Sequence, residues 1–252
     1  MKRMLLTISY DGTAYHGWQV QNNAVTVQQT VQDALEAVLK FRPNVSGCSR
    51  TDSGVHAEKY CFHFDFDGKI PPDKLVLALN TKLPDDISAI DCTAVADDFH
   101  ARYSVHSKQY TYRIYTGDIR NPFLRKYSYH TKFNLDIDKM NIAAKKFCGT
   151  HDFTSFCASG SSVEDNTRTV FETSVTQTGD LIEFKVRANG FLYNMVRIMA
   201  GTLIMVGSGK IAPDKIIDII NSKNREFAGP TAPPHALFLS EINYKGSEIN
   251  AN

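Results

Sequence analysis

Cys48-Ser49-Arg50-Thr51-Asp52-Ser53-Gly54-Val55-His56 sets one carboxylate among an arginine, hydroxyl side chains and a glycine. An arginine two residues before Asp52 and a Ser-Gly pair after it can hold the carboxylate ionised on a tight turn, ready to act on an electrophile. A capped turn accounts for the same residue types. Thr51, Asp52 and Ser53 would satisfy backbone N–H groups, and Gly54 would supply a positive φ. Residue types alone favour the capped turn.

Other chemistries find less support. Gly207-Ser208-Gly209-Lys210 resembles a phosphate loop, but Ile211 stands where Ser or Thr is needed and Ile204 where the first Gly should be, so it reads as a helix stop. No Gly-x-Gly-x-x-Gly follows a strand, and there is no Gly-x-Ser-x-Gly elbow. Cys48, His56, Cys61 and His63 lie close in sequence, yet their spacing matches no common zinc pattern, and no metal is expected. His151-Asp152 reads as a helix end or turn, and His130 and His235 have no evident partner.

The elements that must position Asp52 follow from periodicity. Leu6, Ile8 and Tyr10 alternate with Thr7 and Ser9 in a strand that ends at Asp11-Gly12. Thr26-Val27-Gln28-Gln29 is a capping box opening a helix with Val27, Val31, Ala34, Leu35 and Val38 on one stripe. Tyr60, Phe62, Phe64 and Phe66 alternate with Cys61, His63 and Asp65 in a strand just after the Asp52 loop. A helix over about 73–83 and a strand over about 87–95 complete a β-α-β-α-β half.

The second half repeats this grammar without a sequence repeat. It holds a strand over 108–115 with Tyr110, Tyr112 and Ile114 on one face, and a helix carrying Met140, Ala143, Ala144 and Phe147. A hairpin (170–176, 181–188) turns at Gly179-Asp180, and a long helix is striped by Met195, Ile198, Met199, Leu203 and Val206. A shorter helix runs from Pro213 through Ile220, and a last strand over 237–244. The expected fold is α+β: a half over 1–105 carrying the Asp52 loop and a half over 106–252, packed around one cleft.

Composition bounds the partners. With 252 residues, 42% of them apolar, the chain can fill a substantial core, and 28 basic against 27 acidic residues leave a net charge of +1. Nucleic-acid binding must then come from local patches, of which Arg120, Arg125 and Lys126, or Lys145, Lys146 and Arg168, are candidates for phosphate contacts or for plain solvated faces. Five dispersed cysteines without a Cys-x-x-Cys pair fit reduced thiols. Thr7 and Ser9 interrupt the apolar start too early for a signal peptide, and no apolar run reaches membrane-span length, so a cytoplasmic protein is expected.

The Cys48–Ala57 stretch closely resembles the catalytic loop of the TruA family of tRNA pseudouridine synthases, in which a Gly-Arg-Thr-Asp-Ala-Gly-Val-His-type sequence carries the essential aspartate. Further blocks agree in order: Tyr10-Asp11-Gly12 with Tyr15-His16-Gly17-Trp18-Gln19, Asn80-Thr81-Lys82-Leu83-Pro84, Asp97-Asp98-Phe99-His100-Ala101-Arg102, and Lys108-Gln109-Tyr110-Thr111-Tyr112. Asp152-Phe153-Thr154-Ser155-Phe156, Phe191-Leu192-Tyr193-Asn194-Met195-Val196-Arg197 and Ala232-Pro233-Pro234 complete the match. Ser49 replaces the family's usual Gly and Ser53 its common Ala, and Lys82 is a further local variation.

The resemblance implies a pseudouridine synthase fold: two α/β halves sharing a largely antiparallel mixed sheet, with helices packed on it and a central catalytic cleft. It implies isomerisation of uridines 38, 39 and 40 in the anticodon stem-loop of tRNA, with Asp52 as nucleophile attacking C1′ or C6. Arg197 is implied as its ionic partner; it lies about 200° from Met195 around the helix, off the buried stripe. Tyr110 is implied to stack on the uracil or relay the C5 proton, although core packing explains its periodicity equally well. Arg50 is a candidate to fill the space left by a flipped base, or a clamp on its own loop. No cofactor is required, and a homodimer is implied. The alternative of a different class is a non-catalytic RNA-binding or RNA-chaperone protein on the same scaffold.

Overall fold

The computed structural model describes residues 2–160 and 163–244. In chain order the strands are β1 (Lys2–Tyr10), β2 (Ser46–Gly47), β3 (His56–Phe66), β4 (Ile87–Val95), β5 (Val105–Tyr115), β6 (Tyr129–His130), β7 (Gly149–Asp152), β8 (Thr167–Thr178), β9 (Leu181–Ala188) and β10 (Leu237–Tyr244). The helices are α1 (Val27–Leu39), α2 (Pro72–Asn80), α3 (Ile137–Lys145), α4 (Met195–Gly207) and α5 (Lys215–Ser222). The class is α+β, as expected. No helix among the described residues is long and apolar enough to cross a membrane.

The chain forms two compact units: one of the residues up to Ser107 together with those from Phe238 onward, the other of Lys108–Leu237. In the first unit the strand order is β4-β1-β3-β10. β1 is antiparallel to both β3 and β4, β2 lies antiparallel beside β3, and β10 runs parallel to β3 through Phe238↔His56 and Leu239↔Ala57. This corrects the expected division at residue 105. β10, assigned by its place in the sequence to the second half, adds its backbone hydrogen bonds to the strand that follows the Asp52 loop.

α1 begins as its capping box predicts, with the Thr26 hydroxyl accepting the Gln29 N–H at 3.4 Å. Its stripe of Val27, Val31, Ala34 and Leu35 is buried, as are Tyr60, Phe62 and Phe64 of β3. The opposite face of β3 is covered too. Cys61 and His63, polar-side positions in a half-buried strand, are buried, and His63 Nδ1 accepts the Ala101 N–H at 3.1 Å while the Tyr244 hydroxyl donates to the Ala101 carbonyl at 2.9 Å. Pairing of β1 with β3 steps from Ile8↔Tyr60 to Tyr10↔Ala57, one extra residue in β3. Such a bulge bends the start of the strand and re-aims the loop that leads into it.

In the second unit the order is β5-β9-β8-β7, with antiparallel neighbours and β6 parallel beside β5. α4 is buried nearly all round, from Met195 through Gly207. It stops as expected, with Ser208 as cap and Gly209 at φ +77°. α2 ends at Asn80, short of the expected 83, because Pro84 disfavours helical backbone at Leu83. His151-Asp152 belongs to a strand, paired with Arg168 and Thr167, and His130 Nε2 lies 2.8 Å from the Gly117 carbonyl.

Candidate active site

Asp52 is half-buried on a turn between β2 and β3, in the first unit. The turn closes on itself, since the Asp52 carbonyl accepts the Val55 N–H at 3.2 Å and Gly54 takes φ +76°. Gly54 thus takes the positive φ that the capped-turn reading expects. What sequence reasoning missed is how many groups hold the turn from outside.

The segment after β1 wraps the turn. The Tyr10 hydroxyl lies 2.9 Å from Thr51 Oγ1 in a buried pair, the Trp18 N–H donates to the Thr51 carbonyl at 3.3 Å, and the Tyr15 carbonyl accepts the Gly54 N–H at 3.2 Å. Tyr15 is fixed in turn by its hydroxyl, which donates to Asp86 at 2.6 Å; burial, then the Asp86 carboxylate, push that phenol far above its ordinary pKa. On the other side, the Tyr60 hydroxyl donates to the Ser49 carbonyl and its ring stacks on Trp18 at 4.1 Å. The carboxylate thus rides on a backbone held on both flanks. Pre-set geometry of this kind lets a reactive group meet its target without reorganising.

His56 closes the motif. Its Nδ1 accepts the Gly12 N–H at 3.0 Å and lies 3.1 Å from Asp11 Oδ1, while its ring stacks on Phe238 of β10 at 4.6 Å. With Nδ1 of His56 and Nδ1 of His63 both accepting backbone N–H groups, these imidazoles have structural duties. Among the described residues no group of three or more His, Cys, Asp or Glu could hold a metal ion.

Tyr110 and Arg197 belong to the second unit. Tyr110, opposite Val186 in the β5–β9 ladder, is 5% exposed and meets the Phe191 ring edge-on at 5.1 Å. Tyr112, on the same strand face, is fully buried, and its hydroxyl donates to the Pro233 carbonyl at 3.0 Å. Burial raises the Tyr112 phenol far above its ordinary pKa, so it acts as a fixed donor.

Arg197 sits in the first turn of α4 and is half-buried. Its Nε donates to the Ala232 carbonyl and its Nη1 to Asn194 Oδ1, both at 2.7 Å, and its own carbonyl accepts the Ala232 N–H at 3.1 Å. Asn194 is left-handed at φ 59°, a conformation that Asn tolerates better than most residues. The guanidinium plane is thereby fixed from two directions. The Ala232-Pro233 segment that orients Arg197 is also the one that receives Tyr112.

The remaining basic candidates are dispersed. Arg50 is exposed on the Asp52 turn. Arg120, Arg125 and Lys126 are exposed in the connection between β5 and β6. Lys145 ends α3, Lys146 caps it, and Arg168 folds its Nη1 onto the Asp165 and Thr167 carbonyls at 2.9 and 2.6 Å. Arg168 thus braces the start of β8.

A family model described as tRNA pseudouridine synthase matches residues 6–104 and 143–245. The first stretch holds Asp52 and the second Arg197; Tyr110 falls between them. The chain is 48% identical to tRNA pseudouridine synthase A of Thermoanaerobacter sp. (strain X514) over 97% of its own length and 100% of the relative's. It is 47% identical to the protein of that name from Bacillus licheniformis, covering 96% and 99%, and 46% identical to that from Streptococcus pneumoniae (strain P1031), covering 97% and 100%. With its length matched almost end to end, the chain belongs to the tRNA pseudouridine synthase family.

Proposed function

We propose that this chain isomerises uridine to pseudouridine at positions 38, 39 and 40 of the tRNA anticodon stem-loop, with Asp52 as the nucleophile. The observation that carries this reading is the Asp52 turn, gripped through Thr51, Gly54 and Ser49 by groups outside it.

The Asp52 carboxylate attacks C1′ as the N1–C1′ bond breaks, or adds to C6. On either path the N1–C1′ bond breaks, the uracil turns within the site, C5 bonds to C1′, the carboxylate is released, the C5 proton is lost and N1 takes up a proton, so that no atom is gained or lost overall. No electrons are exchanged with any other molecule, and no cofactor is called for. Arg197 serves as the ionic partner of Asp52, supported by the two hydrogen bonds that orient its guanidinium. Tyr110 stacks on the uracil and relays the C5 proton.

A uridine in a stem is reached by flipping it out, at an unstacking cost of a few kcal/mol, and the exposed Arg50 fills the space it leaves. Arg120, Arg125, Lys126, Lys145, Lys146 and Arg168 supply phosphate contacts. The enzyme works in the cytoplasm as a homodimer.

The test is tritium release from a C5-tritiated anticodon stem-loop transcript. Wild type releases tritium, and Asp52→Asn, which keeps the side-chain size, binds the RNA without releasing it. RNA binding by wild type without any release would leave a non-catalytic RNA-binding protein instead. Equal release by wild type and Asp52→Asn would remove Asp52 from the nucleophile's role.

A further inference from the structure

Phe123 and Ile119 are the most exposed large apolar side chains among the described residues, at 86% and 81%. They stand four residues apart in the connection between β5 and β6, which lies between the two stretches matched by the family model. The connection is well built. Asn121 accepts the Phe123 N–H on its side chain at 2.9 Å and the Leu124 N–H on its carbonyl at 3.1 Å. The Leu124 carbonyl then takes the N–H groups of Tyr127 and Ser128, each at 2.9 Å. Below, His130 and Thr131 tie the connection to the Gly117 and Tyr115 carbonyls at 2.8 and 3.0 Å. An ordered backbone that holds a bare aromatic ring in water has already met the entropy cost of presenting it.

Two exposed cations, Arg120 and Arg125, flank Phe123 in the sequence. Elsewhere in this unit Arg113 pairs with Glu183 at 3.1 Å and Arg187 with Glu172 at 2.8 Å. Arg120 and Arg125 have no carboxylate partner among the described residues, and the Arg125 guanidinium donates to the Pro122 carbonyl at 3.2 Å. Over residues 116–128 the only acid is Asp118, against Arg120, Arg125 and Lys126. An aromatic face beside unpaired guanidinium groups is the combination that binds unpaired nucleotides: the ring stacks on a base and the cations neutralise the neighbouring phosphates.

We propose that this turn is an RNA-contact element, in which Phe123 stacks on an unpaired base of the tRNA other than the reacting uridine. Arg120 and Arg125 meet the phosphates on either side of that base, and Ile119 packs against its sugar. Charge argues for RNA over a second copy of this chain. A two-fold interface sets a patch against itself, which here would oppose arginines to arginines with one aspartate to compensate. The proposal rests on tRNA being the substrate, and its test reads binding, so it stands or falls separately from the tritium assay.

Affinity for full-length tRNA is measured by fluorescence anisotropy for wild type, Phe123→Ala, Phe123→Leu and Phe123→Trp, each checked for oligomeric state by sedimentation. Losing one base–aromatic stack weakens binding by roughly five- to a hundredfold. Phe123→Ala and Phe123→Leu are expected to show that loss, with KM rising alongside Kd more than kcat falls, whereas Phe123→Trp retains wild-type affinity. Replacing Arg120 and Arg125 together by Gln lowers the slope of log Kobs against log salt by about 1 to 2. Affinities within twofold of wild type for Phe123→Ala would overturn the proposal. So would wild-type binding by Phe123→Leu, or a change of oligomeric state as the main effect of Phe123→Ala, which would make the turn a protein interface.

Discussion

A side chain on Gly17 would collide with the backbone next to Asp52: a Cβ built there lies 2.3 Å from the carbonyl oxygen of Thr51. Gly17 also takes φ +82°, so it is needed twice, for conformation and for space. Gly17→Ala is expected to cost about 1–2 kcal/mol from the left-handed backbone alone and to displace the Asp52 turn as well. Gly209 separates the two effects, having φ +77° and nothing within 4 Å of its Cβ position. Thermal unfolding should show Tm falling for both Gly17→Ala and Gly209→Ala, while tritium release falls sharply for Gly17→Ala alone. Normal release by Gly17→Ala would mean that the grip on Thr51 does not aim Asp52.

Arg197→Lys tests whether orientation or charge matters at the start of α4. Lysine keeps the positive charge but lacks the planar fork that reaches Ala232 and Asn194 together. The fold should survive, with Tm close to wild type. Misplacing a group in a reacting constellation by about 1 Å costs on the order of a hundredfold in rate, and tritium release should drop by about that much. Full activity in Arg197→Lys would reduce Arg197 to a point charge.

Tyr110 and Tyr112 share a strand face, and their hydroxyl groups should separate by function. Tyr112→Phe leaves the Pro233 carbonyl without its donor, at a cost of about 1 kcal/mol, visible in urea unfolding, with tritium release little changed. Tyr110→Phe keeps the ring and loses the phenol. It should retain stability and tRNA affinity while release slows by about a hundredfold, within the range of lost proton-transfer catalysis. Unchanged release would confine Tyr110 to stacking.

The bounds of β9 were legible in alternation, and α4 in its apolar stripe, because each carries eight or more residues of one period. β2, β6 and β7 span two to four residues, too few for a period, and exist only through the partners they meet. The partner of β10 was illegible for a related reason: it pairs with β3 across some 180 residues of sequence, and nothing local encodes that. At the candidate site, the turn that carries Asp52 could be read from residue types. The grip on it could not, since Tyr10, Tyr15 and Trp18 look like ordinary aromatics until folding brings them to Thr51 and Gly54. Likewise Asn194 and Ala232 gave no sign of orienting Arg197, because one acts through a side-chain amide oxygen on a left-handed backbone and the other through its main-chain carbonyl.

His63 makes the first unit sensitive to acid. Burial, then the neighbouring His100 ring 4.7 Å away and Arg3, lower its pKa from 6.5 to about 4. The unfolded chain therefore binds a proton between those values that the folded chain excludes, and stability must rise with pH across the window. Read downward, the contribution is intact above about 6.5 and is lost as pH falls towards 4, with a slope of at most about 1.4 kcal/mol per unit from this group. His100, whose pKa is also lowered by burial and by Arg3 and Arg102, adds in the same direction. Protonation at Nδ1 would also break the bond from the Ala101 N–H. His63→Asn keeps an acceptor near that position and does not titrate. Urea unfolding from pH 7 to 4 should show a shallower loss of stability for His63→Asn than for wild type, and parallel curves would show that His63 does not carry the acid sensitivity.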